Sequence, residues 1–76
     1  MVTDVTLTPH FYEVLKRVPL EWWNEEDVIA QIAHATSNTR GGVRRTLNRL
    51  EYLKLVETRW RRALGVTCEV RRIAKD

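Results

Sequence analysis

The chain is poor in the residues that would staple it, anchor it in a membrane or arm it for chemistry. Cys68 is the single cysteine among 76 residues. No internal disulfide is therefore available, and a reducing, cytoplasmic setting is the expectation. No apolar run approaches the roughly 20 residues that a membrane-spanning helix needs. The N-terminal MVTDVTLT lacks the basic-then-apolar pattern of a signal peptide. No membrane partner is expected.

His10 and His34 are the only two histidines, far apart in sequence and without a neighbouring cysteine, so the usual metal-ligand spacings are missing. Gly41-Gly42 is not followed by Gly-Lys-Ser/Thr, which excludes a Walker-type phosphate loop, and no nucleophile-elbow spacing occurs. The acidic residues gather mostly at one helix start, where a structural role is sufficient. The expectation is a protein that is not an enzyme, with no catalytic residue, metal, cofactor or small-molecule ligand. A lone Arg-Gly-Gly also falls far short of a disordered RNA-binding box. A domain of this size buries only about 60% of the surface its unfolded chain exposes, which leaves little room for a deep cavity.

What the chain does have is a folded composition and a divided charge. Apolar residues make up 43% and include three Trp, which argues against disorder. The net charge of +3 conceals two opposed halves. Residues 1–39 set two cations against six acids, and residues 40–74 set nine Arg and Lys54 against Glu51, Glu57 and Glu69. One cationic surface and a polyanionic partner follow from that split. The preference for Arg over Lys favours recognition of phosphates and guanine edges, because the planar guanidinium is a donor fork. The bland alternative is a solvated charged face.

Local signals divide the chain into a single α+β domain over residues 1–76. Residues 1–7 read as a flexible arm. Thr8-Pro9 starts a helix over 8–18, with Thr as N-cap and Pro at the first helical position. Phe11, Val14, Leu15 and Val18 repeat at helical spacing, and Pro19 ends the run. Leu20-Glu21-Trp22-Trp23 suits a short extended segment in which one Trp is buried and the other exposed. Asn24 caps a second helix over 24–35, with acids in its first turn and Val28, Ile29, Ile32 and Ala33 as its apolar stripe. Thr39 caps a third helix over 39–54, in which Val43, Leu47, Leu50 and Leu53 repeat. From Val56 the period changes to two, and residues 55–73 read as a hairpin turning at Ala63-Leu64-Gly65.

The stretch from Thr39 to Val56, TRGGVRRTLNRLEYLKLV, resembles the recognition helix of winged helix-turn-helix transcription factors. These commonly read S/T-R-x-x-V-x-x-x-L-x-x-L-x-x-L-G-L-V before a basic hairpin wing. Ile29-Ala30-Gln31-Ile32-Ala33 resembles the helix that precedes it in that family, and the likeness extends over residues 8–73. It implies a winged helix-turn-helix fold of three helices, a short strand and a C-terminal β-hairpin wing. The implied role is a small transcriptional regulator whose partner is double-stranded DNA. Lys54 departs from the family pattern, where Gly is usual. That implies either a left-handed lysine or a different helix end. Asn38 replaces the usual apolar residue of the turn.

Helical spacing alone puts Val43, Leu47 and Leu50 on one side of the third helix, with Gly41, Arg45, Asn48 and Tyr52 opposite and Arg44 and Arg49 flanking. Arg45 and Asn48 are the expected base-edge contacts, with Arg44 third, because Arg pairs bidentately with guanine and Asn with adenine. For Asn48 a solvated side chain is the equal alternative. Arg40, Arg49 and the Thr39 hydroxyl are expected on phosphates. Gly41 would let the backbone approach DNA closely, and Gly42 would permit tight packing against the second helix. In the hairpin, Arg61 and Arg62 near the turn are the expected wing contacts. Trp60, in phase with Val56 and Thr58, is expected to pack against the third helix, and Arg71 and Arg72 to shield an edge strand.

No effector segment is distinguished in these residues, so regulation is expected through occlusion, bending or recruitment. A monomer, or a dimer that is weak or induced by DNA, is the expected state. An architectural or recombination DNA-binding factor, and a winged-helix module that binds protein in a larger assembly, are the competing functions.

Overall fold

A computed structural model of the chain describes residues 8–62 and 65–74. The expected residue 1–7 arm and the Ala63-Leu64 part of the expected turn lie outside the described residues. Three helices pack on one face of a three-stranded antiparallel sheet. Each helix begins where a short polar side chain can satisfy its first amide groups. Thr8 Oγ1 accepts the Phe11 N–H (3.3 Å) at the start of α1, Pro9–Arg17. Asn24 Oδ1 accepts the Asp27 N–H (3.1 Å) at the start of α2, Glu25–Thr36. Thr39 Oγ1 accepts the Gly42 N–H (3.0 Å) at the start of α3, Arg40–Tyr52.

The α3 C-terminus resolves the Lys54 question. Lys54 adopts φ 66°, its N–H donates to Glu51 O (2.9 Å), and the Leu55 N–H donates to Leu50 O (2.9 Å). These two bonds form a Schellman ending, a motif that prefers glycine because a Cβ is strained in the left-handed region. Lys54→Gly is therefore expected to raise stability by about 1 kcal/mol, read as a higher urea midpoint with an unchanged slope.

The strands are β1 (Trp23–Asn24), β2 (Val56–Arg62) and β3 (Val66–Arg72). Their order is β1-β3-β2, with Trp23 opposite Val70, Val56 opposite Arg72 and Arg62 opposite Val66. Gly65 takes φ 140° at the end of the turn, the conformational freedom expected of it.

Two expectations change. The first strand lies at Trp23–Asn24 rather than Leu20–Trp23, because the Arg72 N–H donates to Pro19 O (2.7 Å) while Trp23 pairs with Val70. Four residues must then span what two cover on β3, so the Leu20 region bows out. Secondly, β3 is the central strand, so Arg71 and Arg72 guard no edge. The Arg72 guanidinium Nε instead donates to Val18 O (3.1 Å) and ties the end of α1 to the sheet.

The core lies between the helices and the inner sheet face. It contains Val14 and Val18 of the α1 region, Val28, Ile29, Ile32 and Ala33 of α2, Val43, Leu47 and Leu50 of α3, and Val56 and Val70 of the sheet. Phe11, Leu15 and Leu55 border it. Among the described residues no helix is long and apolar enough to cross a membrane.

Candidate nucleic-acid interface

With Val43, Leu47 and Leu50 turned inward, the opposite face of α3 is obliged to face solvent. Thr39, Arg40, Gly41, Arg44, Arg45, Asn48, Arg49 and Tyr52 are all exposed. A Cβ placed on Gly41 would meet nothing within 4 Å, so the backbone there is open to approach. Gly42 behaves differently from the expectation. A Cβ there would meet the Thr39 hydroxyl at 3.2 Å, and no atom of α2 lies within 4 Å of it. Its small size accommodates the cap of its own helix.

The arginines divide by what they already hold. Arg40, Arg45 and Arg49 form no ion pair among the described residues, and Arg49 lies 5.7 Å from the Tyr52 ring centroid. Arg44 is engaged across the helix interface. Its guanidinium reaches Glu26 Oε2 at 2.7 Å and Glu25 Oε1 at 3.4 Å. The Glu26 hydrogen bond is the main reason its pKa is raised. A base contact by Arg44 would require release from these two carboxylates, whereas Arg45 and Asn48 need no such rearrangement.

Thr46 is a buried polar residue that the leucine spacing did not single out, although it lies at i+3 from Val43. Only 5% of it is exposed, and its hydroxyl donates to Gly42 O (3.1 Å). His10 Nε2 lies 3.1 Å from the same oxygen, which joins α1 to α3 by a polar contact.

On the hairpin, antiparallel register and alternation sort the side chains onto two faces. Glu57, Arg59, Arg61, Thr67, Glu69 and Arg71 share the outer face. Its three arginines pair with the two glutamates of the same face. Arg59 Nε reaches Glu69 Oε1 at 2.7 Å, Arg61 lies 3.7 Å from the same carboxylate, and Arg71 pairs with Glu57. Trp22 fills this face. The guanidinium carbons of Arg59 and Arg71 stand 4.3 and 4.6 Å from its ring centroid. Neither Trp of the 22–23 pair is fully buried, contrary to expectation. Trp22 is half-covered by two cations in place of a hydrophobic layer, and Trp23 remains 46% exposed.

The inner face holds Val56, Thr58, Trp60, Arg62, Val66, Cys68 and Val70. Thr58 Oγ1 donates to Glu51 Oε2 of α3 (2.8 Å). Trp60, next along this face, was expected to pack against α3, yet it is 72% exposed. The hairpin outruns the helical layer, so helical cover fails beyond Thr58. Cys68, opposite Trp60, is half-buried, and its thiol pKa is pushed up to about 11, first by desolvation and then by the Glu25 carboxylate. Arg62, unlike Arg61, has no ion pair among the described residues.

Thr39, Arg40, Gly41, Arg44, Arg45, Asn48 and Arg49 are therefore gathered on one exposed helix, while Arg61 and Arg62 stand on opposite faces of the hairpin. Among the described residues no group of three or more His, Cys, Asp or Glu side chains is placed to hold a metal ion. A depression of about 520 Å3 opens between α1 and α2, lined by Lys16, Arg17, Gln31, Ile32, His34 and Ala35. It is lined by no residue of α3 or the hairpin. Compared with family models, with curated proteins and with solved structures, the chain matches none.

Proposed function

We propose that the chain is a winged helix-turn-helix domain that binds double-stranded DNA sequence-specifically and serves as a small transcriptional regulator. In this proposal α3 enters the major groove and the β2–β3 hairpin reaches the backbone or the minor groove. One observation supports it most strongly: the face of α3 turned from the core carries Arg40, Arg45 and Arg49 without acidic partners among the described residues, beside Asn48 and the open backbone of Gly41. An α-helix fits the major groove, and these side chains match its acceptor and donor patterns. The 13 residues of α3 span about 20 Å, enough to follow the groove over several base pairs. Arg45 and Asn48 read base edges. Arg40, Arg49 and the Thr39 hydroxyl hold phosphates and set register.

Binding to random-sequence duplex at increasing salt tests the proposal. Each phosphate neutralised contributes about −0.9 to the slope of log affinity against log salt, so four such contacts give a slope near −4. Arg61→Ala is expected to reduce that slope by about 1 and to weaken all sequences alike. Absence of duplex binding at low salt would overturn the assignment and favour a protein-binding module.

A further inference from the structure

Trp60 is an aromatic that the fold leaves uncovered at a particular place. It shares its sheet face with Thr58, which is bonded to Glu51 of α3, and with Cys68 directly opposite. Trp60 therefore stands one step outward, along the same face, from the point where the hairpin meets Glu51 of α3. The next pair toward the turn on the same face is Arg62 opposite Val66, both exposed. An indole, a valine and a guanidinium without an ion pair among the described residues form one patch on the outer half of the hairpin, with Arg59 and Arg61 on the reverse side.

We propose that Trp60 is a wedge that enters the DNA duplex next to the groove occupied by α3 and unstacks one base step, with Val66 widening the wedge and Arg62 holding the adjacent phosphate. This inference rests on the DNA-binding proposal above. Charge selects the occupant. An apolar patch that carries Arg62 on its own face, within a half of the chain that sets ten cations against three acids, disfavours a cationic protein surface and favours a polyanion with an apolar interior, which is what a duplex presents when a step opens. A wedge of this kind kinks DNA, and kinking is easiest at pyrimidine–purine steps. Trp60 thus gives the protein a preference for a TA or CA/TG step at a position where no base edge is read by hydrogen bonds.

The experiment uses duplexes selected from a random pool by the wild-type protein, with 2-aminopurine replacing one adenine at a time. The expected result is a rise in 2-aminopurine fluorescence confined to one step, and a bend in a circular-permutation assay. Trp60→Ala is expected to abolish both and to lower affinity on the order of tenfold. Its salt slope should stay that of the wild type, since no charge is lost. Trp60→Phe should retain most of the signal. Because the ring is largely exposed, the melting temperature of the variants should be unchanged. If wild-type protein binds with the expected salt slope but no 2-aminopurine position responds, the wedge is overturned and the DNA-binding proposal stands. That readout needs no variant, so it decides the matter independently of how Trp60→Ala folds. If Trp60→Ala binds as tightly as wild type but loses self-association in sedimentation, the patch is a contact between copies and the wedge is likewise overturned. If wild-type protein shows no salt-dependent duplex binding, the failure lies in the underlying proposal.

Discussion

Arg45→Ala is expected to cost about 1–3 kcal/mol of affinity for the preferred duplex and to relax preference at a single base pair. The side chain stands exposed on α3 without an acidic partner among the described residues. Its removal therefore leaves no orphaned carboxylate in the protein, and the thermal midpoint should not move. Arg44 provides the contrast. Its replacement frees Glu25 and Glu26 at the start of α2, so a change in binding there would mix lost contacts with a changed field. Competition binding of variant proteins against duplexes altered one base pair at a time separates the two roles. A loss by Arg45→Ala that is uniform over all duplexes would move Arg45 from the base edges to the phosphates.

Leu50→Ala is expected to remove about 2–5 kcal/mol of stability. Leu50 is 0% exposed and belongs to the core cluster shared by the helices and the sheet. A domain of this length has a total stability of only about 4–11 kcal/mol, so the variant should be partly unfolded or melt far below wild type. Tyr52, two residues on, is 75% exposed. Tyr52→Ala should stay within about 0.5 kcal/mol of wild type, as surface substitutions usually do. Urea denaturation of the pair measures the helical phase of α3 directly. Similar losses in both would mean that the assigned face is wrong.

Much of this architecture is legible in local sequence. Thr8, Asn24 and Thr39 predict the three helix starts because a cap needs only a side-chain oxygen and an amide three residues on. The spacing of Val43, Leu47 and Leu50 predicts both the buried side of α3 and the exposed side holding Gly41, Arg45 and Asn48, since helical periodicity belongs to the backbone itself. The same holds for the change to period two at Val56 and for Gly65 in the turn.

Other features depend on partners remote in sequence. Alternation correctly put Trp60 in phase with Val56, but its exposure follows from how far the helices extend beneath the hairpin. Arg71 and Arg72 read as edge guards until the order β1-β3-β2 makes β3 central. Arg44 and Arg45 are adjacent and chemically identical, yet only Arg44 faces the carboxylates of Glu25 and Glu26 across the α2–α3 interface. Trp22 is covered by Arg59 and Arg71, residues 37 and 49 positions away along the chain. Caps and periods are set within a few residues of backbone. Cover, pairing and charge neutralisation are set by which surfaces the folded layers bring together, and no local pattern specifies that.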